Sequence, residues 1–123
     1  MDKIKCGIDI VEHKRIEKSL KNRRFQEKYF TEDEIKYSLQ KRNFVQHFAV
    51  RFAAKEAFLK ALGTGIAEGI SLKEIEVKNK ENGIPFIELK GKVLEKFQSL
   101  NYKHIEVSLS HSENYSIAMV ILF

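Results

Sequence analysis

The stretch from Asn43 to Leu62 constrains this chain more than any other, because it holds neither glycine nor proline and repeats phenylalanine at Phe44, Phe48 and Phe52. That i, i+4, i+8 spacing stacks the rings along one side of a helix. Gly63 follows directly, and glycine commonly closes a helix just past its last turn. Alanines at 53, 54, 57 and 61 give the same helix a shallow side, where another backbone or a ligand can approach closely.

The remaining elements read as a mixture. Ile4, Cys6, Ile8 and Ile10 alternate with Lys5, Gly7, Asp9 and Val11, the period of a half-buried strand, which puts Asp9 on the face opposite the isoleucines. Residues 12–24 predict a basic helix with Ile16 and Leu20 inward. Thr31 and Glu34 form a capping box that opens a helix to about Lys41. After Gly63-Thr64-Gly65, strands over about 71–78 and 85–90 flank a tight turn at Glu81-Asn82-Gly83, with Pro85 at a strand start or sheet edge. A helix over 91–100 and strands over 105–110 and 117–123 complete the chain. The order β-α-α-α-β-β-α-β-β predicts a single α+β domain over residues 1–123 with a largely antiparallel sheet packed with helices.

Composition narrows the class further. At 123 residues the chain is long enough for a real core. Its longest apolar run, Ile117–Phe123, is far too short to span a membrane, and Met1–Lys5 opens into a strand-like segment rather than a secretory signal. Cys6 has no cysteine partner, in keeping with a reducing, cytoplasmic setting. The net charge of +5 equals the net charge of residues 14–24 alone, where Lys14, Arg15, Lys18, Lys21, Arg23 and Arg24 face only Glu17. So confined a block is a solvated helix face or a docking surface for an anionic partner, not a track for a long nucleic-acid backbone.

Three clusters carry chemistry. The first runs from Arg51 to Gly65: Glu56 stands one turn from Lys60, and Arg51 one turn from Lys55. Surface ion pairs are the bland account of that pattern; the alanine side and the Gly63-Thr64-Gly65 exit point instead to a polyanion. The second is Asp9, after a glycine near the end of the first strand. Strand and helix carboxylates commonly hold Mg2+, a hard cation that keeps several waters and takes phosphate oxygens. The third is Ser108-Leu109-Ser110-His111-Ser112, where the histidine is an anion ligand, a turn residue or a hydrolase partner; the absence of a Gly-x-Ser-x-Gly elbow weighs against the last. The four histidines and one cysteine show no zinc spacing, and His47 and His104 read as structural or surface residues.

Gly7-Ile8-Asp9-Ile10-Val11-Glu12 with Arg15-Ile16, Arg51 through Ile66, Asn82-Gly83-Ile84-Pro85 and Ser108 through Ser112 together resemble the holo-acyl-carrier-protein synthase family of phosphopantetheinyl transferases. The Phe-Ala-Ala-Lys-Glu-Ala core is the most specific part, and the likeness spans essentially the whole chain. The resemblance implies transfer of 4'-phosphopantetheine from coenzyme A to a serine of apo-acyl carrier protein, leaving adenosine 3',5'-bisphosphate, in support of fatty-acid biosynthesis. It implies Mg2+ held by Asp9 and Glu56, and Lys60 on the phosphates beside the departing oxygen. The serine proton goes to Glu56 or to a water on the metal. Arg51, Ser110 and His111 would take the 3'-phosphate and adenine side, and Gly63, Thr64, Gly65 and Pro85 would line the nucleotide. Arg15, Lys21 and Arg24 would dock the acidic carrier protein, with Ile16, Leu20 and Phe25 either joining that contact or packing inward. The family's short branch also implies a homotrimer with sites between subunits, which would account for alanine- and phenylalanine-rich faces beyond one core's needs. Two readings of other classes stand beside this one: a nucleic-acid-binding module using the basic helix 14–24, and a metal-dependent hydrolase of nucleotide pyrophosphates.

Overall fold

The computed structural model describes residues 3–64 and 69–123. Its spine is the helix that the Phe-Ala pattern predicts, α4 (Phe44–Leu62), closed by Gly63 in the left-handed conformation at φ 82°. Before it come strand β1 (Lys5–Glu12) and three short helices, α1 (His13–Leu20), α2 (Arg23–Tyr29) and α3 (Glu32–Leu39). After it come a 3-10 turn (Leu72–Glu74), β2 (Ile75–Asn79), β3 (Pro85–Leu89), α5 (Gly91–Ser99), β4 (Ile105–His111) and β5 (Tyr115–Leu122). All pairing is antiparallel: β1-β5-β4 form one sheet, and β2-β3 a separate hairpin. The predicted α+β class and element order therefore hold, with one helix added.

That helix is α2. The basic stretch is not continuous, because Asn22 adopts an extended backbone and its side-chain oxygen accepts from the Arg24 N–H at 2.9 Å, starting a new helix. Gln26, buried, donates to the Leu20 carbonyl at 2.8 Å and braces the corner. The capping box at Thr31 and Glu34 forms as expected. Strand β2 starts at Ile75 rather than near residue 71, because the Ser71 hydroxyl caps a 3-10 turn first.

Two cores share α4. Ile16, Leu20, Phe30, Ile35, Phe48 and Ala49 fill the space between α1, α2, α3 and the first half of α4. The larger core lies between the rest of α4, both sheets and α5, with Phe58, Ile75, Val93, Val120 and Leu122 fully buried. Burying each such side chain contributes about 1.5–3 kcal/mol before entropy is counted. Ile16 and Leu20 thus pack inward. The alanines and Phe48 are likewise buried inside one chain, whereas Phe44 is 38% exposed at the start of α4 and Phe52 is half-buried.

The isoleucines of β1 do not pack on the helix. Gly7, Asp9 and Val11 form the inner face, while Ile8 and Ile10 are 59% and 57% exposed on the outer one. Gly7 decides this orientation: a methyl group placed on it would lie 2.0 Å from the Ala57 carbonyl oxygen and 2.8 Å from the Ala61 nitrogen. The small side of α4 therefore receives the β1 backbone itself. Gly7→Ala is expected to cost about 1–3 kcal/mol or more, through forced separation of strand and helix. A urea midpoint equal to wild type would contradict that packing. Across the outer face Ile8 stands beside Met119, and Ile10 beside Ile117, leaving a continuous apolar surface. Among the described residues no helix is long and apolar enough to cross a membrane.

Candidate active site

Because α4 turns about 100° per residue, its four charged side chains leave in different directions. Lys55 points into the core: fully buried, it donates to Glu34 Oε1 at 2.7 Å and to the carbonyls of Leu72 and Ile75 at 2.8 Å. It is a structural pin and not a surface ion pair. Glu56 points the other way, toward Asp9 on the inner face of β1. Lys60 does not pair with Glu56 but crosses to β1, where its Nζ donates to Asp9 Oδ1 at 3.1 Å and to the Ile8 carbonyl at 3.0 Å.

Asp9 and Glu56 line one cavity of about 600 Å³, walled by Ile16, Phe25 and Phe52 on its apolar side and by Glu12 and Arg15 on its polar side. Burial, and then the negative charge of Asp9, hold the Glu56 carboxyl above its usual range, against the opposing pull of Lys60. A carboxyl raised by burial and by a neighbouring carboxylate in a partly dry cleft makes, with that neighbour, a donor pair for a cation. No set of three or more His, Cys, Asp or Glu side chains able to hold a metal occurs among the described residues. The pair thus fits a hard cation that completes its shell with water and phosphate oxygens, and does not fit a full protein cage such as structural zinc requires.

The residues assigned to the coenzyme lie elsewhere. Arg51, buried, donates to Asn79 Oδ1 at 2.7 Å and stacks on Tyr37 with its guanidinium carbon 4.4 Å from the ring centre. Asn79 pairs with Pro85 across the β2-β3 hairpin, so Arg51 and Pro85 share a neighbourhood, with Pro85 at the strand start as expected. His47 joins them: Arg51 donates to its carbonyl at 3.4 Å. Burial, and then Arg51, Lys41 and His111, pull the His47 ring down from its ordinary value. His47 therefore stands beside Arg51 with its neutral ring favoured, in keeping with the structural role read from the sequence; the i, i+4 spacing of His47 and Arg51 is the signal of their contact. Ser110 lies on the outer sheet face opposite Ile117, and His111 ends β4. Gly63 and Thr64 sit at the far end of α4, about 18 Å from Arg51 at 1.5 Å per residue. Gly65 lies outside the described residues. Within one chain, then, Asp9, Glu56 and Lys60 come together, while Arg51, Pro85, His111, Gly63 and Thr64 stand outside the cavity lining.

Of the docking residues, Arg15 lines the cavity, while Lys21 and Arg24 are exposed at the α1–α2 corner. They form an edge across two helices rather than a stripe along one.

A model of the 4'-phosphopantetheinyl transferase superfamily matches residues 5–120. A holo-acyl-carrier-protein synthase of Geobacter metallireducens is 46% identical over 118 residues, covering 94% of each chain. One of Treponema denticola is 47% identical over 117 residues with the same coverage. Among solved structures, the Helicobacter pylori synthase in complex with coenzyme A superimposes with a TM-score of 0.84 at 33% identity, covering 96% of this chain and 99% of that one. The Neisseria meningitidis synthase gives a TM-score of 0.89 at 30% identity, with 97% of each chain covered.

Proposed function

Since this chain belongs to the 4'-phosphopantetheinyl transferase superfamily, we propose that it moves 4'-phosphopantetheine from coenzyme A to a serine hydroxyl of apo-acyl carrier protein, with Mg2+ as the metal. The observation that carries this reading is the placement of Asp9 and Glu56 on one cavity, with Lys60 bonded to Asp9. Mg2+ held by the two carboxylates would draw charge from the phosphorus under attack and from the departing oxygen. Lys60, bonded to Asp9 and more than half exposed, would reach the phosphates and steady the leaving bisphosphate. The apolar wall of Ile16, Phe25 and Phe52 would keep water from the acceptor side. The holo product would serve fatty-acid biosynthesis in the cytoplasm, and residues 1–123 would act as one domain.

The absence of Arg51, Pro85 and His111 from the lining of the cavity that holds the acid pair supports sites completed between subunits. The open apolar face of β1 and β5 supports the association that would bring them in. With Ile8, Ile10, Ile117 and Met119 all exposed, that face suits a second copy of the chain, in the homotrimer we propose. Arg51 and His111 of one subunit would then reach the 3'-phosphate and adenine end of a coenzyme held by another. Ser110, on the same open face, would join them. Gly63, Thr64, Gly65 and Pro85 would border the nucleotide.

The test is mass spectrometry of apo-carrier protein incubated with the protein, coenzyme A and Mg2+. A gain of one phosphopantetheine group is expected. Nucleotide release without any carrier would indicate a pyrophosphate hydrolase instead. Salt-sensitive nucleic-acid binding indifferent to Asp9 and Glu56 would indicate the binding module. Reversing the charge of Lys21 and Arg24 together (Lys21→Glu, Arg24→Glu), both exposed and outside the cavity lining, is expected to slow carrier capture roughly tenfold at low salt while leaving coenzyme A affinity within twofold, because surface charge acts mainly on encounter. Replacing Arg15, which lines the cavity, is expected to affect both. Equal capture rates across a salt series would remove Lys21 and Arg24 from the docking edge.

A further inference from the structure

The cavity holds a third carboxylate, Glu12, for which the reading above has no use. Glu12 is half-buried and makes no hydrogen bond or ion pair among the described residues; although it stands at the N-cap of α1, its side chain does not cap that helix. Its backbone is nonetheless firmly held. Glu12 is the last residue of β1, paired with Tyr115, and the next N–H, of His13, donates to the Asn114 carbonyl at 2.9 Å. The His13 ring donates from Nδ1 to the Glu113 carbonyl at 3.0 Å, and its Nε2 is hydrogen-bonded with the Ser116 hydroxyl at 2.8 Å. An unpartnered carboxylate on a rigid mount, facing a cavity, is arranged to meet something from outside the chain.

Position along the chain says what arrives there. Asp9, Glu12 and Arg15 follow one another at three-residue intervals through the β1–α1 junction, and all three line the cavity. On the reading above Asp9 belongs to the cation pair and Arg15 to the docking edge, and Glu12 lines the same cavity from a position between them in the chain. Asp9 is engaged by Lys60, and both Asp9 and Glu56 are committed to the cation, which lowers their worth as bases. We propose that Glu12 is the proton acceptor for the carrier serine, an inference that rests on the transferase reading. Serine Oγ bonds to the phosphorus that carries pantetheine, the bond from that phosphorus to the bisphosphate oxygen breaks with its electron pair on the bisphosphate, and the serine proton passes to a Glu12 carboxylate oxygen and then to solvent. In a loose phosphoryl-transfer transition state the nucleophile forms little bond to phosphorus, so its proton leaves late and a weak base is adequate.

The experiment compares wild type, Glu12→Gln and Glu12→Ala with saturating coenzyme A, Mg2+ and apo-carrier protein over a pH series. The titratable and charged groups around Glu12 are Asp9 on β1, His13 and Arg15 on α1, Glu56 on α4 and Tyr115 on β5, so the variants are compared on the plateau of the profile, where ionisation of the cation pair does not limit the rate. Glu12→Gln is expected to lower kcat roughly 10²-fold, with KM for the carrier within twofold of wild type. Calorimetric coenzyme A affinity should be unchanged. Formate should restore part of the rate to Glu12→Ala and none to Glu12→Gln, whose amide fills the space. A Glu12→Gln kcat within threefold of wild type, or a raised carrier KM at unchanged kcat, overturns the proposal. A wild type that transfers nothing overturns the transferase reading itself.

Discussion

Replacing Glu56 by glutamine is expected to lower phosphopantetheine transfer at least about 10³-fold, several kcal/mol of transition-state charge stabilisation, without weakening the fold. The two halves of that result have one cause. Burial and the neighbouring Asp9 raise the Glu56 carboxyl above its ordinary 4.5, with Lys60 opposing. A carboxyl raised in the folded state binds its proton more tightly there than in the unfolded chain. Its favourable contribution is therefore complete below pH 4.5 and is lost as pH climbs through the raised folded value. At neutral pH the ionised Glu56 is a strain on the fold that glutamine removes. Thermal unfolding without added divalent cation should accordingly give Glu56→Gln a Tm equal to or above that of wild type at pH 7, with the difference closing toward pH 4.5. Added Mg2+ should raise the wild-type Tm and leave that of the variant nearly unmoved. A variant several degrees less stable at pH 7 would mark Glu56 as a structural residue and withdraw it from the cation pair.

This opposition between stability and function also explains which parts of the molecule could be read from the chain. Helix α4 was legible because its signals agree: aromatic spacing, a glycine stop and no breaker between them. Asp9 was placed on the correct face of β1, since alternation fixes which residues share a face. Alternation cannot say which face meets the helix, and here hydrophobicity misleads: the isoleucines lie outward because only Gly7 lets the strand lie against Ala57 and Ala61. The pairing of one glycine with two alanines was the available signal, and it is a long-range one. The break between α1 and α2 was written in Asn22, a strong cap residue, but the run of basic residues on both sides masked it. The contacts of Arg51 with His47 and Asn79 were not legible for another reason: Asn79 comes from the hairpin, and no local periodicity links it to α4.

Lys55 is the clearest case of a side chain whose sequence neighbours conceal its role, and its removal is expected to be the most damaging single change to stability. Lys55→Ala should cost about 3–5 kcal/mol, because it strands the Glu34 carboxylate, 2% exposed, with no cation, and leaves the Leu72 and Ile75 carbonyls without their donor. The intact pair contributes far less than that figure. Burial pulls the Lys55 ammonium below its usual range, and the attraction of Glu34, acting upward, does not fully offset it. What makes the pair indispensable is the bonding around it. Glu34 Oε1 also accepts from the Thr31 N–H at 2.9 Å, and Oε2 from the Val77 N–H at 2.9 Å, so one carboxylate joins α3 to β2 while Lys55 joins both to α4. A double variant, Lys55→Met with Glu34→Gln, should recover at least half of the loss, since glutamine can accept one of those N–H groups and donate to one of the freed carbonyls. Urea unfolding of Lys55→Met, Glu34→Gln and the double variant supplies the coupling energy. Costs that simply add would mean that Lys55 and Glu34 do not act as a unit, and the joint between α4 and the hairpin would have to be sought in the apolar core alone.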